Sequence, residues 1–547
     1  MTGKLKRYFY SSLLPVLLVL FNLLLKIRYV SYPSLAKDEP FSVYYSQFSL
    51  STIIAELSEG NNPPLYEISL HFWTSLFGIS EFSVRIPSVL FSSLTVYFIY
   101  LITRRYFGVK TGVLAAVLFS LSNYQLYFAH EARVYPLFML LTVISMTLFL
   151  KLLRYKDSRA LVYAFITINV LLLYSHFFSW FIIVIEFASI LVLYRKNKKE
   201  LLRFVFYLGW ILLFYLPYLG IFVSRFIDSS GGTWIEPVSN LRPLVTFFSQ
   251  LINDTNVAYT MIMLFIWMYL QKYINQYFSH RFIRFGLIVL SILFFGIFLS
   301  IRLPIIEGYN DFSAVLIIAS CIVFFVGLYT HFVLRSESSV EGKIILTWLF
   351  VPGIIIFTAS FTLPMFIDRY LIFLTPAFFI ILAVLISKLD PKLFWSLSLF
   401  TITLMAVSFS PLSNNERDVK TMVNFVKSQQ TENTAVFICP DYHGFTFTYY
   451  YDRFLFENTK SDIPEKDMEQ GLNKDNVYLV RKFDQVDSVL STNDFGHIVY
   501  VDAGADFSYS DNGIKHFLRS KVQKDTARID SLYIPGIYTV YTFDTSE

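Results

Sequence analysis

The sequence predicts a multi-pass α-helical membrane protein of about 13 transmembrane helices, followed by a small C-terminal α/β domain. Three observations predict it: apolar runs long enough to cross a bilayer, an uneven placement of Lys and Arg, and a change of composition after residue 410. The chain has 547 residues, of which 55% are hydrophobic and 16% charged, with a mean hydropathy of +0.54. Soluble domains run roughly 45–50% apolar and about 25% charged. The 58 Phe and 37 Tyr suit a helix bundle with aromatic belts at the membrane interfaces. The net charge of +5 is accounted for by cytoplasmic loops, so it points to no nucleic-acid partner. Cys321 lies in an apolar run and Cys439 in the polar tail, so both are expected to be free thiols.

A crossing needs roughly 20 apolar residues. Runs that meet this, some of them short, fall at 9–29, 84–103, 111–129, 134–153, 160–176, 177–194, 204–223, 256–271, 285–303, 313–332, 343–362, 369–388 and 392–410. No small-residue cleavage site follows the first, which therefore reads as a retained anchor. With the N-terminal "KLKR" inside, the inner connections carry 22 Lys and Arg and the outer ones nine. The positive-inside rule then places the N-terminus in the cytoplasm. An odd number of crossings puts the tail outside.

These features divide the chain into a membrane domain, 1–410, with a first outer loop at 30–83, and a tail, 411–547. In the tail, "RDVKTMVNFVKSQQ" and "GIKHFLRSKVQ" have helical spacing, while "TAVFICP", "NVYLVRK" and "HIVYVDAG" read as strands. Alternating helix and strand imply an α/β domain, with a supporting or substrate-gating role. Neither a Gly-rich phosphate loop nor metal-ligand spacing occurs in it. A connection of some 50 residues, as at 30–83, is usually functional. Its Leu65, Ile68, Phe72 and Leu76 recur at helical spacing, as in a helix lying on the interface.

Titratable residues gather near the outer face. Asp38 and Glu39 open the first loop in "AKDEPFSVYY", and Tyr66 and Arg85 lie further along. Glu131, Arg133 and Tyr135 stand in "FAHEARVYPL", His176 in "LLYSHFFSW", and Arg369 and Tyr370 in "LPMFIDRYLIFLTP". Taken singly, each could be a helix cap, a packing histidine or an interfacial anchor. Together they put carboxylates, arginines and tyrosines at one membrane level, where such groups are costly and tend to serve function. A carboxylate can take the proton of an incoming hydroxyl. An arginine can grip phosphate oxygens in two places.

In these motifs and their order, with "PPLYEISLHFWTSLFGISEFSVRIPSVLFSSL" between them, the chain resembles the GT-C class of polyprenyl-phosphate-sugar-dependent glycosyltransferases. Protein O-mannosyltransferases and the lipid A aminoarabinose transferase are in that class. The resemblance covers about residues 10–390, and the tail resembles the variable soluble domain of many members. It implies Asp38 as general base, Glu39 as its acidic neighbour and Arg369 as the contact to the lipid phosphate. Glu131 and Arg133 fall where members carry residues facing the cavity. Members often have a basic residue before the double proline; here it is Asn62, which leaves Arg85, Arg133 and Arg369 as the phosphate candidates. The implied activity is transfer of a sugar from undecaprenyl phosphate to a hydroxyl on a protein, lipid A or polysaccharide. It would take place at the outer face of a bacterial cytoplasmic membrane, with inversion. No cofactor is required, although a divalent cation beside Asp38 and Glu39 is compatible with it. The competing readings are a lipid-linked-sugar flippase or transporter, and a polysaccharide polymerase. The first is disfavoured because polar residues gather at one face and no internal repeat is visible. The second is disfavoured by the early Asp-Glu loop.

Overall fold

The computed structural model describes residues 8–60, 62–155, 158–230, 235–253, 339–389, 391–411, 418–458, 464–521, 530–534 and 538–544. The runs expected at 256–271, 285–303 and 313–332, and Cys321, lie outside these residues. Each of the other expected crossings is helical.

Length sorts those helices. Among the described residues six are long and apolar enough to cross a membrane: Phe9–Ile27, Glu81–Phe107, Tyr135–Leu152, Lys198–Ser229, Val340–Ala359 and Asp368–Ser387. Val109–Ser120 and Asn123–Ala129, bent by 62°, make a seventh if they form one crossing. Arg159–Leu173, Ser179–Tyr194 and Pro391–Val407 are apolar but shorter. At 1.5 Å per residue, a helix of about 15 residues reaches roughly 22 Å, short of a 30 Å core unless its flanks help. The expectation of about 13 crossings thus becomes six or seven by length among the described residues.

The chain forms two compact units. The first comprises 1–26, 89–129 and 135–410 and is helical where described. Its helices are tied by polar side chains buried between apolar faces, the arrangement that holds helices together where lipid offers no competing partner. Asn22 donates to Ser120 at 3.0 Å and accepts from Ser93 at 3.1 Å, Gln125 donates to Thr375 at 2.9 Å, and the Trp348 indole donates to the Phe373 carbonyl at 2.9 Å.

The second unit comprises 27–88, 130–134 and 411–547, so the first long loop and the tail belong together. Its core is a five-stranded sheet of β1 (Thr434–Cys439), β2 (Val477–Leu479), β3 (His497–Asp502), β4 (Asp530–Ile534) and β5 (Tyr538–Asp544), in the order β2-β1-β3-β5-β4. β1 pairs in parallel with β2 and β3, whereas β3–β5 and β5–β4 are antiparallel. β1 is buried along its whole length, as a central parallel strand requires. Its residues alternate: Val436 and Ile438 pack with Val419, Met422 and Val423 on one face, while Ala435, Phe437 and Cys439 pack with Val486 and Leu518 on the other. Both faces are covered, which makes an α/β layer. Ala36, from the first loop, joins the core of the first face.

Candidate active site

The first loop is shaped by backbone as much as by side chains. Lys37 adopts a left-handed conformation with φ of 58°, unusual for a residue with a Cβ, and it turns the chain into the helix Glu39–Tyr45. Asp38 takes the N-cap position and Pro40 the first turn, where a missing N–H costs nothing. Asp38 is half-buried and Glu39 fully buried, so the two adjacent acids have different surroundings.

Glu39 is fully engaged. Arg85 donates to it from Nε at 2.8 Å and from Nη2 at 2.7 Å, and the Ala132 backbone N–H donates at 2.8 Å. Arg85 is 1% exposed. Its other N–H groups go to the carbonyls of Val30, Pro33 and Ser34 at 2.9, 2.7 and 3.0 Å. All five guanidinium donors therefore have oxygen acceptors. This pair joins the loop's first turn, the helix Glu81–Phe107 and the segment 130–134, and it leaves Arg85 no N–H for a phosphate.

A second cluster lies beside it. Arg133 donates from Nη1 to the Ser42 hydroxyl at 2.6 Å and to the Asp38 carbonyl at 3.3 Å. It stands 3.8 Å from Glu67, and Ser42 donates to the same Glu67 oxygen at 2.7 Å. The other Glu67 oxygen is buried and has no hydrogen-bond partner among the described residues. Burial holds the Glu67 carboxyl above the usual carboxylate range, with Arg133 and Ser42 pulling the other way. Tyr66 is buried next to it, its hydroxyl 3.3 Å from that of Ser88. Glu67 is not among the sequence candidates. The available signal was its being an acid in the first turn of an otherwise uncharged helix, Leu65–Phe77. That helix buries Tyr66, Glu67, Leu70 and Thr74 and leaves Phe72 and Leu76 exposed.

The tail holds the loop from the other side. Leu35 donates its N–H to the Tyr450 hydroxyl at 2.5 Å, Tyr44 donates to the Pro464 carbonyl at 2.7 Å, and Tyr45 donates to Glu465 at 2.6 Å. The Phe445 ring packs on Phe41 and Tyr44, with centroids 5.8 and 5.1 Å apart. Further along, Tyr449 and Arg453 both donate to the Ile79 carbonyl, at 2.7 and 2.9 Å.

Among the sequence candidates, Asp38, Glu39, Tyr66, Arg85, Glu131 and Arg133 belong to this unit. Glu131 is buried, in a turn where its carbonyl accepts the Arg133 N–H at 2.8 Å. Tyr135, His176, Arg369 and Tyr370 belong to the helical unit. There the His176 ring stacks on Phe138 at 4.6 Å and meets Tyr370 edge-on at 5.3 Å and Tyr135 at 6.4 Å. Arg369 and Tyr370 are partly exposed in the 3-10 turn Asp368–Leu374, which Tyr124 fixes by donating to the Asp368 carbonyl at 2.6 Å. Among the described residues, no group of three His, Cys, Asp or Glu could hold a metal ion.

Residues 61–220 match the family model for dolichyl-phosphate-mannose-protein mannosyltransferases. The apo oligosaccharyltransferase of Archaeoglobus fulgidus aligns with 99% of this chain and 75% of its own, at 13% identity and a TM-score of 0.50. The same archaeal protein, AglB, in complex with an inhibitory peptide and a dolichol-phosphate, gives the same figures. ArnT from Cupriavidus metallidurans in the apo state aligns over 96% of this chain and 97% of its own, at 12% identity and a TM-score of 0.43. No curated protein sequence matches the chain. The likeness to GT-C glycosyltransferases read from the motifs is thus borne out, by a glycosyltransferase family over 61–220 and by the fold of the archaeal enzyme.

Proposed function

We propose that the protein moves a sugar from a polyprenyl-phosphate carrier to an acceptor hydroxyl, at the outer face of a bacterial cytoplasmic membrane. The observation that carries this reading is the division of labour between the paired acids. Glu39 is spent on Arg85 and Ala132, while Asp38 stands half-buried at a helix N-cap. Asp38 acts as the general base. It takes the acceptor's hydroxyl proton as the oxygen bonds to the anomeric carbon from the face opposite the carrier. The bond between that carbon and the phosphate oxygen breaks, and the phosphate leaves as an anion that needs no general acid. The sugar is inverted. The acceptor is a hydroxyl of a protein, lipid A or surface polysaccharide. The reaction as written uses no cofactor, and a divalent cation would only add charge at the carrier phosphate.

Reconstituting the full chain in liposomes with a panel of polyprenyl-phosphate sugars, mannose included, tests this. Release of polyprenyl phosphate, read by mass spectrometry, is the expected result. A panel left intact in the presence of membrane extract as acceptor would sink the reading.

Arg369 is assigned to the carrier phosphate. Arg369→Ala should raise the KM for the lipid donor more than that for the acceptor, and Arg369→Lys should recover part of the loss. Lysine keeps the charge but not the planar two-pronged grip. An interfacial anchor would behave otherwise, since a snorkelling lysine serves as well. Donor kinetics indistinguishable between wild type and Arg369→Lys would make Arg369 an anchor and pass the phosphate to Arg133.

We read the N-terminus as inside from the 22-to-nine distribution of Lys and Arg, and the tail as outside because the sequence has thirteen apolar runs, an odd number. A reporter that works only in the periplasm, fused after residue 547, should be active. An inactive fusion, with a cytoplasm-dependent reporter active at the same position, would reverse the placement and move the site to the wrong face for a lipid-linked donor.

A further inference from the structure

We propose that His443, a residue of the tail, holds the Asp38 carboxylate in its working orientation by donating an imidazole N–H to it. The inference rests on Asp38 being the general base. It makes the tail part of the active site.

The position follows from sheet topology. β1 continues to β2 on one side and its parallel neighbour β3 lies on the other, so the chain reverses direction across the sheet between β1 and β3. Open α/β sheets leave a crevice at the carboxyl ends of the strands at such a point, and functional groups collect there. β1 ends at Cys439, and His443 follows four residues later, at the start of the helix Gly444–Tyr451.

The first loop is pinned to the same place. Ala36 shares a core with Tyr538, and the Tyr538 hydroxyl lies 3.4 Å from His443 Nδ1. Phe41 packs on Phe445, two residues beyond His443. Asp38, between Ala36 and Phe41, is thereby bracketed against the imidazole.

Protonation suits a donor. Burial pushes His443 down to about 4, against the pull of Asp38 first and Asp441 second, so the ring is neutral at physiological pH. Asp441 is already paired with Arg481 at 2.7 Å and accepts from Tyr509 at 2.8 Å. With Tyr538 and the adjacent Tyr442, whose ring centroid lies 5.0 Å from that of the imidazole, these two acids are among the titratable groups facing the ring. A neutral imidazole has one donor and one acceptor. If Tyr538 donates to Nδ1, Nε2 carries the proton and is the donor left for Asp38. A neutral donor orients the carboxylate without cancelling the charge that makes it a base.

The test uses the full chain in nanodiscs with 15N-labelled histidine, and His443→Gln to assign the signal. The ring nitrogens of His443 should report the Nε2–H tautomer. Asp38→Asn should move them and lower the titration midpoint, because the anion favouring the imidazolium is gone. Nitrogen shifts and a midpoint unchanged in Asp38→Asn would overturn the contact. This readout needs no turnover, and the contact is tested by substituting the half-buried Asp38, with His443→Gln used only to assign the signal. For function, with polyprenyl-phosphate mannose as probe donor, His443→Phe should lower kcat by up to about 100-fold at unchanged donor KM. The acidic limb of its rate profile should move to higher pH, since a carboxylate that loses a donor becomes easier to protonate. His443→Gln, which retains an N–H donor, should recover part of the rate. A wild-type rate and profile in His443→Phe would overturn the inference alone, whereas an active Asp38→Asn would overturn the assignment of the base.

Discussion

Asp38→Asn is expected to abolish sugar transfer while leaving the protein folded and able to bind its lipid donor. The amide has the shape of the carboxylate but cannot take the hydroxyl proton, and loss of a general base costs about 10²–10⁴-fold. Position argues that the fold will tolerate the change. Asp38 is half-buried at an N-cap position where its side chain makes no capping hydrogen bond, and the buried ion pair belongs to its neighbour. Turnover of donor by the purified variant, set against its binding of polyprenyl phosphate, separates the two roles. Lost binding with normal chemistry per bound donor would make Asp38 a ligand. Wild-type turnover would remove it from the mechanism.

How much of this was legible in the sequence depends on whether the signal is local. Apolar runs announce their helices because each carries its own length and composition, and every expected crossing among the described residues is helical. β1 and β3 were readable for the same reason, each being a short buried run. β5 was not read: "YTVYTFD" alternates, and its place depends on antiparallel pairing with β3, which no local pattern encodes. The candidate site divides in the same way. The Asp38–Glu39 pair stands out because it is adjacent, but its division of labour rests on Arg85, 46 residues away, and on the backbone of Ala132. Glu67 and His443 were missed because each gains meaning from a partner distant in the chain: Arg133 for one, Tyr538 and the first loop for the other. The tail read as a module with a general supporting role. Its hold on the loop runs through Ala36, Phe41 and Tyr450, residues with nothing unusual in their own surroundings.

The second large effect is expected at Glu39 and Arg85, and it falls on stability. Glu39→Ala leaves a fully buried guanidinium without its carboxylate, a change that typically costs about 3–5 kcal/mol. Arg85→Ala does comparable damage, stranding the carboxylate and three backbone carbonyls. Buried ion pairs can often be replaced by apolar residues at no cost, so the double variant Glu39→Met/Arg85→Met is the informative one. Here it should not recover. The carbonyls of Val30, Pro33 and Ser34 and the Ala132 N–H would all lose their partners, at about 1–3 kcal/mol for each that stays buried. Thermal unfolding of the purified chain, and protease sensitivity of residues 30–45, measure this directly. Activity should fall with stability in all three variants, because the loop that presents Asp38 comes loose. A double variant as stable as wild type would show that the arginine is kept for its charge and not for the three carbonyls. Arg85 would then return as a candidate for the carrier phosphate.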